Sequence, residues 1–227
     1  MNAVAYYSNT DESRLIAEYF SNELGFPLIN IEKSGTLSYQ SLVLVFPVHC
    51  QNIPEAVKKF LNKITVENLT AIATYGKMCH GNVLYEIQKK HGKTIVAAAY
   101  VPTKHSYIEY DSRFSDYEKL ASIVNKVKNP TPVKLPSLYK NPLANIFPKW
   151  RSWLGLKIKR GANCDGCNTC KEVCSSSAID YGITNQSCIR CLKCVNTCPK
   201  KALTVKMSLA LNLYLKKKKL NKLIFYL

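Results

Sequence analysis

The sequence of 227 residues has no long hydrophobic run and little glycine or proline. Its longest apolar stretch, residues 95–101, is far shorter than the roughly 20 residues that span a bilayer. The 9 Gly and 10 Pro are too few for a fibrous or low-complexity chain. The first residues show no basic segment followed by an apolar one, the pattern of a secretory leader. We therefore expect a cytoplasmic protein with a packed core and no transmembrane segment.

Acidic residues are scarce in the second half of the chain. Residues 128–227 contain 19 Lys and Arg against 3 Asp and Glu, whereas residues 1–127 contain 13 against 12. Nearly all of the net charge of +17 therefore belongs to one half. This asymmetry indicates two parts with different roles. A strongly basic part attracts acidic partners, so we expect an acidic partner protein.

Short apolar runs alternate with amphipathic stretches over residues 1–128, which is typical of a parallel sheet covered by helices on both faces. Strands are predicted at residues 3–7, 28–31, 42–46, 71–75 and 94–101. Helices are predicted at residues 12–24, 54–63, 82–91 and 115–126. The pattern predicts an α/β domain over this range, with a doubly wound five-stranded parallel sheet. The proline- and lysine-rich residues 129–161 read as a linker, and the tail, residues 207–227, favours a helix only weakly.

Cysteine is the one residue type in excess, and eight of the ten cysteines form two short runs. The runs are Cys164, Cys167, Cys170 and Cys174, then Cys188, Cys191, Cys194 and Cys198. In each run successive cysteines are separated by two, two and three residues, and Pro199 follows the second run. This spacing matches the cluster-binding run of bacterial ferredoxins. Because cytoplasmic thiols stay reduced, we expect metal ligands and not disulfides.

The spacing also predicts how the ligands are shared. In two-cluster proteins the fourth cysteine of each run ligates the other cluster. One [4Fe-4S] cluster is therefore expected at Cys164, Cys167, Cys170 and Cys198, and the other at Cys174, Cys188, Cys191 and Cys194. The alternative is a pair of structural zinc sites, but zinc usually takes separated Cys-x2-Cys pairs. The third cysteine of each triplet would then have no role.

Residues 162–206 resemble a bacterial two-cluster ferredoxin, a small α+β domain, over their whole length. Ala178 and Ala202 follow the fourth cysteine of each run at the same distance, so the segment is an internal duplication. One departure is Ser175, which stands where the second run has Pro199. All four thiols of the first run are present, so we expect the change to affect the rigidity of the loop more than the type of cluster.

The loop after the first predicted strand carries hydroxyl side chains at Ser8, Thr10 and Ser13. Flavodoxin-like proteins have Ser/Thr-x-Thr-x-x-Ser/Thr at this place, where hydroxyls and backbone amides at a helix N-terminus hold the FMN phosphate. The resemblance implies FMN bound by Ser8, Asn9, Thr10, Asp11, Glu12 and Ser13. Relatives usually have glycine where Asn9 and Asp11 stand, and the acidic pair at 11–12 disfavours an anion. The alternative is plain helix capping by Ser8 or Thr10.

Two further loops belong to the flavin site that the resemblance implies. They contribute Pro47, Val48 and His49 after the third strand, and Thr74, Tyr75 and Gly76 after the fourth. Tyr75 is expected to stack on the flavin, and Gly76 to allow a close backbone approach. The alternative for Tyr75 is a place at the edge of the core.

Together the two halves resemble the flavodoxin-ferredoxin fusion proteins. The resemblance implies electron transfer between two [4Fe-4S] clusters, a bound FMN and an external redox partner. Alternatives are a flavin-dependent reductase of a small substrate, or a two-cluster ferredoxin whose flavodoxin-like domain only docks partners. A third is binding of nucleic acid or of a membrane surface through residues 216–219 and the apolar tail. Nucleic-acid binding is not expected, because aromatic residues do not interleave with these lysines.

Overall fold

The computed structural model describes residues 1–35, 37–108, 111–145, 148–217 and 220–227, and for residues 148–151 the backbone alone. The chain divides into two compact units. The first comprises Met1–His105, Tyr110–Ala144 and Lys219–Leu227, and the second comprises Ser106–Glu109 and Asn145–Lys218. None of the helices in these described ranges has the length and the apolar character that a transmembrane helix requires.

The first unit is built on a mainly parallel sheet. Its strands are β1 (Asn2–Tyr6), β2 (Leu28–Asn30), β3 (Ser38–Pro47), β4 (Thr65–Tyr75), β5 (Ile95–Pro102) and β10 (Ile224–Tyr226). Their spatial order is β10-β5-β4-β3-β1-β2, and the five strands other than β10 run parallel. The order 2-1-3-4-5 of these five strands is that of flavodoxin-like folds.

Helices cover both faces of this sheet. They are α1 (Glu12–Leu24), α2 (Glu55–Lys63), α3 (Val83–His91) and α4 (Ala121–Lys128). Phe60 of α2 and Ile87 of α3 belong to one apolar cluster, whereas Phe20 of α1 and Val124 of α4 belong to another. Because each face of the sheet has its own apolar layer, the central strands are buried on both faces over the part that the helices cover. The predicted α/β fold with a mainly parallel sheet is confirmed.

Two central strands are longer than predicted. The first residues of β3 and of β4 alternate between covered and exposed positions; Tyr39, for example, is buried between exposed neighbours. The prediction used continuous apolar runs, which appear only where both faces of a strand are buried. Where one face is open, the strand pattern alternates instead. The predicted helix at residues 115–126 likewise begins as a 3-10 turn, Tyr117–Leu120, before α4.

The sheet has a sixth strand that the sequence did not predict. β10 pairs antiparallel with β5, in a register that joins Ile224 to Tyr100 and Tyr226 to Ala98. Every residue of β5 is buried. By pairing with β5, strand β10 provides hydrogen-bond partners for backbone groups that would otherwise be unpaired at the edge of the sheet. The expectation of five strands and a helical tail is therefore corrected: the tail forms the end of β9 (Leu203–Met207), the short helix α8 (Leu209–Leu215) and β10.

The second unit contains short elements only. Besides β9 and α8 they are α5 (Pro148–Gly155), β6 (Leu156–Arg160), α6 (Thr169–Glu172), β7 (Ile179–Asp180), β8 (Ile183–Thr184) and α7 (Lys193–Thr197). β6 pairs antiparallel with β9, and β7 with β8. Part of the predicted linker, β6, thus belongs to a sheet. Ile146 and Phe147 of that linker, and Lys218 and Lys219 of the lysine run, lie outside the described residues.

Candidate functional site

Two cavities in the second unit are lined by the cysteines of the two runs. One is lined by Cys164, Cys167, Cys170 and Cys198, the other by Cys174, Cys188, Cys191 and Cys194. Each encloses about 330 Å³ of empty space, part of it open to solvent. In each cavity three cysteines come from one run and the fourth from the other. The fold therefore brings together the two groups of four thiols to which the clusters were assigned.

The backbone around the two cavities repeats at the spacing that separates the two cysteine runs. Asn168 and Leu192, which precede α6 and α7, have φ values of 61° and 64°. Ser177 and Lys201 have φ values of 46° and 48°. Left-handed conformations at residues with side chains are uncommon, so their recurrence at equal spacing reflects the same loop geometry built twice. The duplication seen in the sequence is therefore a duplication of structure.

Backbone amides point at the fourth sulfur of each run. The N–H of Ala178 donates to Sγ of Cys174, and the N–H of Ala202 donates to Sγ of Cys198, both at 3.3 Å. Hydrogen bonds of this kind stabilise negative charge on sulfur and help set the potential of a bound cluster. The small apolar residues at these two positions are completely or almost completely buried.

Burial makes two of the thiols that line the second cavity less acidic. It raises the pKa of Cys194 to about 12, and the nearby thiols of Cys191, Cys188 and Cys174 add to that effect. It also raises the pKa of Cys191. Without a bound cation the thiols of Cys191 and Cys194 stay protonated at neutral pH, whereas coordination to metal holds a cysteine as thiolate.

Four thiols around one cavity are the donor set of a [4Fe-4S] cluster. All ten cysteines lie within the described residues, and none forms a disulfide. Among the residues that the structure describes, no group of three or more His, Cys, Asp or Glu is placed to hold a metal ion. The donor chemistry fits a polyatomic cluster.

In the first unit, the predicted flavin residues meet at the carboxyl ends of the parallel strands. The hydroxyls of Ser13 and Thr74 share a hydrogen bond of 2.8 Å, and the N–H of Val48 donates to the carbonyl of Thr74 at 2.8 Å. The ring centroids of His49 and Tyr7 lie 6.2 Å apart. Burial lowers the pKa of His49 to about 4, so its imidazole is neutral at pH 7. Ser8 and Thr10 are half-buried, and Pro47 ends β3.

Glu12 places a carboxylate inside the predicted phosphate loop. The residue is 7% exposed, and Nε of Arg113 lies 3.2 Å from its Oε1. Burial raises the pKa of Glu12, while Arg113 and the donated N–H of Lys104 act in the opposite direction. Asp11 adopts a left-handed φ of 64° at the start of α1, as the glycine of relatives could. Asn9 is buried and donates from Nδ2 to the hydroxyl of Tyr7 at 3.2 Å.

Tyr75 and Gly76 have protein neighbours where the flavin ring was predicted. The Tyr75 hydroxyl donates to the carbonyl of Lys222 at 2.6 Å and accepts the N–H of the same residue at 3.2 Å. Tyr75 is 2% exposed, so its ring is part of the core edge. A Cβ added to Gly76 would lie 2.6 Å from Cδ2 of His105, so the close approach that glycine allows here is made by an imidazole.

These contacts do not fit a bound FMN. Of the three hydroxyls expected to hold the phosphate, that of Ser13 is hydrogen-bonded to the hydroxyl of Thr74. The buried carboxylate of Glu12 lies in the same loop, where it repels an anion. FMN stays a prediction from the sequence resemblance.

Comparison with solved structures finds flavodoxin-like folds. A short-chain flavodoxin associated with a non-canonical PDU bacterial microcompartment is 16% identical, with a TM-score of 0.41, over 56% of this chain and 96% of its own. An archaeal flavodoxin is 15% identical, with a TM-score of 0.40, over 56% and 99%. The Trp repressor binding protein from Bacillus subtilis is 12% identical, with a TM-score of 0.33, over 57% and 96%. Such likeness says nothing about a cofactor or an activity. No family model and no curated protein matches the chain.

Two buried cationic residues were missed by the sequence analysis. Lys77, which follows Gly76, pairs with Asp111 at 3.1 Å, with both side chains almost fully buried. No sequence pattern indicates an ion pair between residues so far apart in the chain. Arg190, inside the second cysteine run, is 4% exposed. Aligning the two runs would have revealed it, because Gly166 stands at the equivalent position of the first run.

Replacing Glu12 with glutamine is expected to stabilise the first unit at neutral pH. The folded pKa of Glu12 lies above its ordinary value of 4.5, so the folded state binds more protons than the unfolded state between the two values. Stability is therefore lost as pH rises through that window. Glutamine stays neutral, and each kcal/mol gained raises the Tm by about 2–4 °C. Thermal unfolding followed by circular dichroism from pH 5 to 8 measures the difference, which should grow with pH.

The matched control is Glu18→Gln, because Glu18 is on the same helix, more exposed and also paired with an arginine. It should change the Tm little at any of these pH values. A Glu12→Gln variant less stable than the unchanged protein at pH 7 would mean that the ion pair with Arg113 outweighs the cost of burial.

Proposed function

We propose that this chain is an electron carrier whose second unit holds two [4Fe-4S] clusters. Cys164, Cys167, Cys170 and Cys198 would hold the first cluster, and Cys174, Cys188, Cys191 and Cys194 the second. Bound clusters of this type accept and release single electrons. The observation that carries the proposal is the pair of cavities, each lined by four thiols in the crossed grouping of two-cluster proteins.

The residues around the thiols support this role. Ile179 and Leu203 are buried in one apolar cluster with Cys170 and Cys194, and Ile158 packs against it. Apolar packing restricts water at the sulfurs, and low polarity together with N–H donors to sulfur sets the potential of a cluster. Eight thiols remain ligands only where thiols stay reduced, so we place the protein in the cytoplasm.

The surface charge of the second unit favours an acidic redox partner. Residues 145–218 contain 14 Lys and Arg and 3 Asp and Glu. A basic surface attracts an acidic partner over a Debye length of about 8–10 Å and raises the rate of association. We propose that this partner is a protein that donates or accepts single electrons. The domain boundaries at residues 128, 162 and 206 stay predictions.

FMN is not part of the proposed electron path, because the contacts of Glu12, Ser13 and Tyr75 do not fit it. The flavodoxin-like unit is assigned the role of docking partners, which was one of the alternatives from the sequence. This assignment differs from the FMN-containing carrier that the sequence resemblance implied.

Anaerobic purification of the full chain tests the proposal. We expect about eight irons and eight acid-labile sulfides per chain, with a dithionite-reduced EPR spectrum of [4Fe-4S] clusters. Protein-bound zinc with no sulfide would contradict the proposal. Flavin released on denaturation is quantified in the same sample. About one FMN per chain would restore the flavin to the electron path and contradict the docking role alone.

A further inference from the structure

The second unit exposes three leucines where α5 and α8 meet. Leu154 of α5 is 58% exposed, and Leu209 and Leu213 of α8 are 75% and 57% exposed. The N–H of Ser208 donates to the carbonyl of Gly155 at 2.8 Å, and this bond lies between the first two leucines. Leu209 and Leu213 are four residues apart, so they share one face of α8. Single exposed leucines are normal, but several at one place indicate a contact surface.

Exposed lysines stand three or four residues along the chain from these leucines: Lys157, Lys206, Lys216 and Lys217. The three leucines and these four lysines are called the leucine–lysine surface below. The antiparallel register of β6 and β9 places Lys157 directly opposite Lys206. Neither of the two ion pairs among the described residues of this unit includes any of the four lysines. Like charges at opposite positions destabilise a sheet, so a negatively charged partner would stabilise this pair of strands.

The end of α8 joins the apolar and the basic parts of the surface. Lys216 has a helical backbone as the C-cap and stands three residues after Leu213, on the same side of the helix. Nζ of Lys217 lies 5.9 Å from the ring centroid of Tyr214, whose side chain is 41% exposed. Leucines flanked by lysines, with an aromatic residue beside them, are typical of helices that lie at the surface of a membrane.

The composition of this surface favours lipid over protein as the partner. Protein interfaces are enriched in arginine, methionine and aromatic residues and depleted of lysine, whereas each of the four cations here is lysine. An ammonium group binds phosphate as a point charge and needs no fixed geometry. Exposed leucines on a short helix can enter the boundary between head groups and acyl chains.

We propose that the leucine–lysine surface binds the anionic surface of a phospholipid bilayer. The leucines enter the boundary between head groups and acyl chains, and the lysines lie at the level of the phosphates. Residues 224–226 of the tail take no part, because they pair with β5 as β10. The inference goes beyond the proposed function, because it adds a membrane as the place where the electron carrier acts.

Co-sedimentation of the full, anaerobically purified chain with vesicles tests the inference. The chain should bind vesicles of phosphatidylcholine mixed with phosphatidylglycerol, and bind phosphatidylcholine alone much more weakly. Leu213→Asn should lower the partition coefficient at least about threefold, because it removes an apolar side chain from the bilayer boundary. Lys216→Gln with Lys217→Gln should lower it at least about tenfold, since each lysine near an anionic surface contributes about fivefold. Added salt should weaken the binding.

Matched variants outside the surface separate a defined site from the effect of overall charge. Leu143 of the first unit is 58% exposed, so Leu143→Asn removes an equally exposed leucine. Lys89 and Lys90 are adjacent exposed lysines in the last turn of α3, so Lys89→Gln with Lys90→Gln removes the same charge. Both controls should bind anionic vesicles as the unchanged chain does. All the substituted side chains are exposed, and circular dichroism checks that each variant is folded.

Three results would overturn the inference. The first is an equal loss of binding in the control and the surface variants, or equal binding to both kinds of vesicle. The second is binding of duplex DNA by a chain that does not bind anionic vesicles, which would assign the lysines to nucleic acid. The third is a dimer that Leu213→Asn dissociates, seen by analytical ultracentrifugation of a chain that does not bind vesicles. That result would assign the leucines to a second copy of the chain.

Discussion

Replacing Cys174 with serine is expected to remove the cluster of the second cysteine run and to leave that of the first. The thiol of Cys174 lines the second cavity and acts on the pKa of both Cys191 and Cys194, although it belongs to the first run. About half of the iron and sulfide should be lost, because serine is a poor ligand in place of thiolate. Iron analysis and EPR of the anaerobically purified chain measure both effects.

Iron content alone does not distinguish crossed from uncrossed ligation, so two reference variants are needed. Cys188→Ser removes a ligand of the second cavity and Cys164→Ser one of the first. The remaining EPR signal and potential of Cys174→Ser should match those of Cys188→Ser. Cys198→Ser is the reciprocal variant and should match Cys164→Ser. A match of Cys174→Ser with Cys164→Ser would show that each run binds its own cluster, and the crossed assignment would be wrong.

Replacing Lys77 with methionine is expected to destabilise the first unit by about 3–5 kcal/mol, the usual cost of breaking one side of a buried ion pair. Lys77 donates from Nζ to Asp111 at 3.1 Å and to the carbonyl and hydroxyl of Ser112 at 2.8 and 2.9 Å. The side chains of the ion pair are 6% and 4% exposed. Without the lysine, the Asp111 carboxylate stays buried and keeps the backbone N–H groups of His105 and Ser112 as donors.

Amide hydrogen exchange of β4 and β5, followed in the full chain, measures the loss of stability of the first unit in Lys77→Met. The matched control is Lys119→Met, because Lys119 forms an ion pair of 2.7 Å with Asp116 on the exposed surface. That variant should show no measurable change. The double variant Lys77→Met, Asp111→Leu should lose less stability than Lys77→Met, since it leaves no buried charge unpaired. Equal exchange in Lys77→Met and the unchanged chain would contradict the structural role of the pair.

Much of the first unit follows from local pattern. Helix α1 has the predicted bounds of residues 12 and 24, and each of the five parallel strands lies on a predicted apolar run. These elements were predictable because both faces of the central strands are buried, which forces continuous apolar residues. The parts of β3 and β4 that alternate were missed, since one open face permits polar residues at every second position.

The residues of the candidate sites were likewise predictable where a local pattern determines them, and not where they depend on distant parts of the chain. The cysteine spacing predicted which thiols should meet, because the geometry of a cluster constrains a short loop directly. The flavin residues were taken from a loop motif, and the motif does not say what fills the loop. The Glu12 carboxylate with Arg113, and the Tyr75 hydroxyl with Lys222, depend on residues that are distant in the chain.

The sequence by itself determined the parallel sheet, the internal duplication and the grouping of the thiols. Each of these depends on interactions within a short segment or on a repeated pattern. Only the tertiary structure decided that residues 224–226 complete the sheet, that Lys77 meets Asp111, and that Arg190 of the second cysteine run is buried. Such pairings are set by burial and by the need to satisfy buried polar groups, which depend on how distant segments pack.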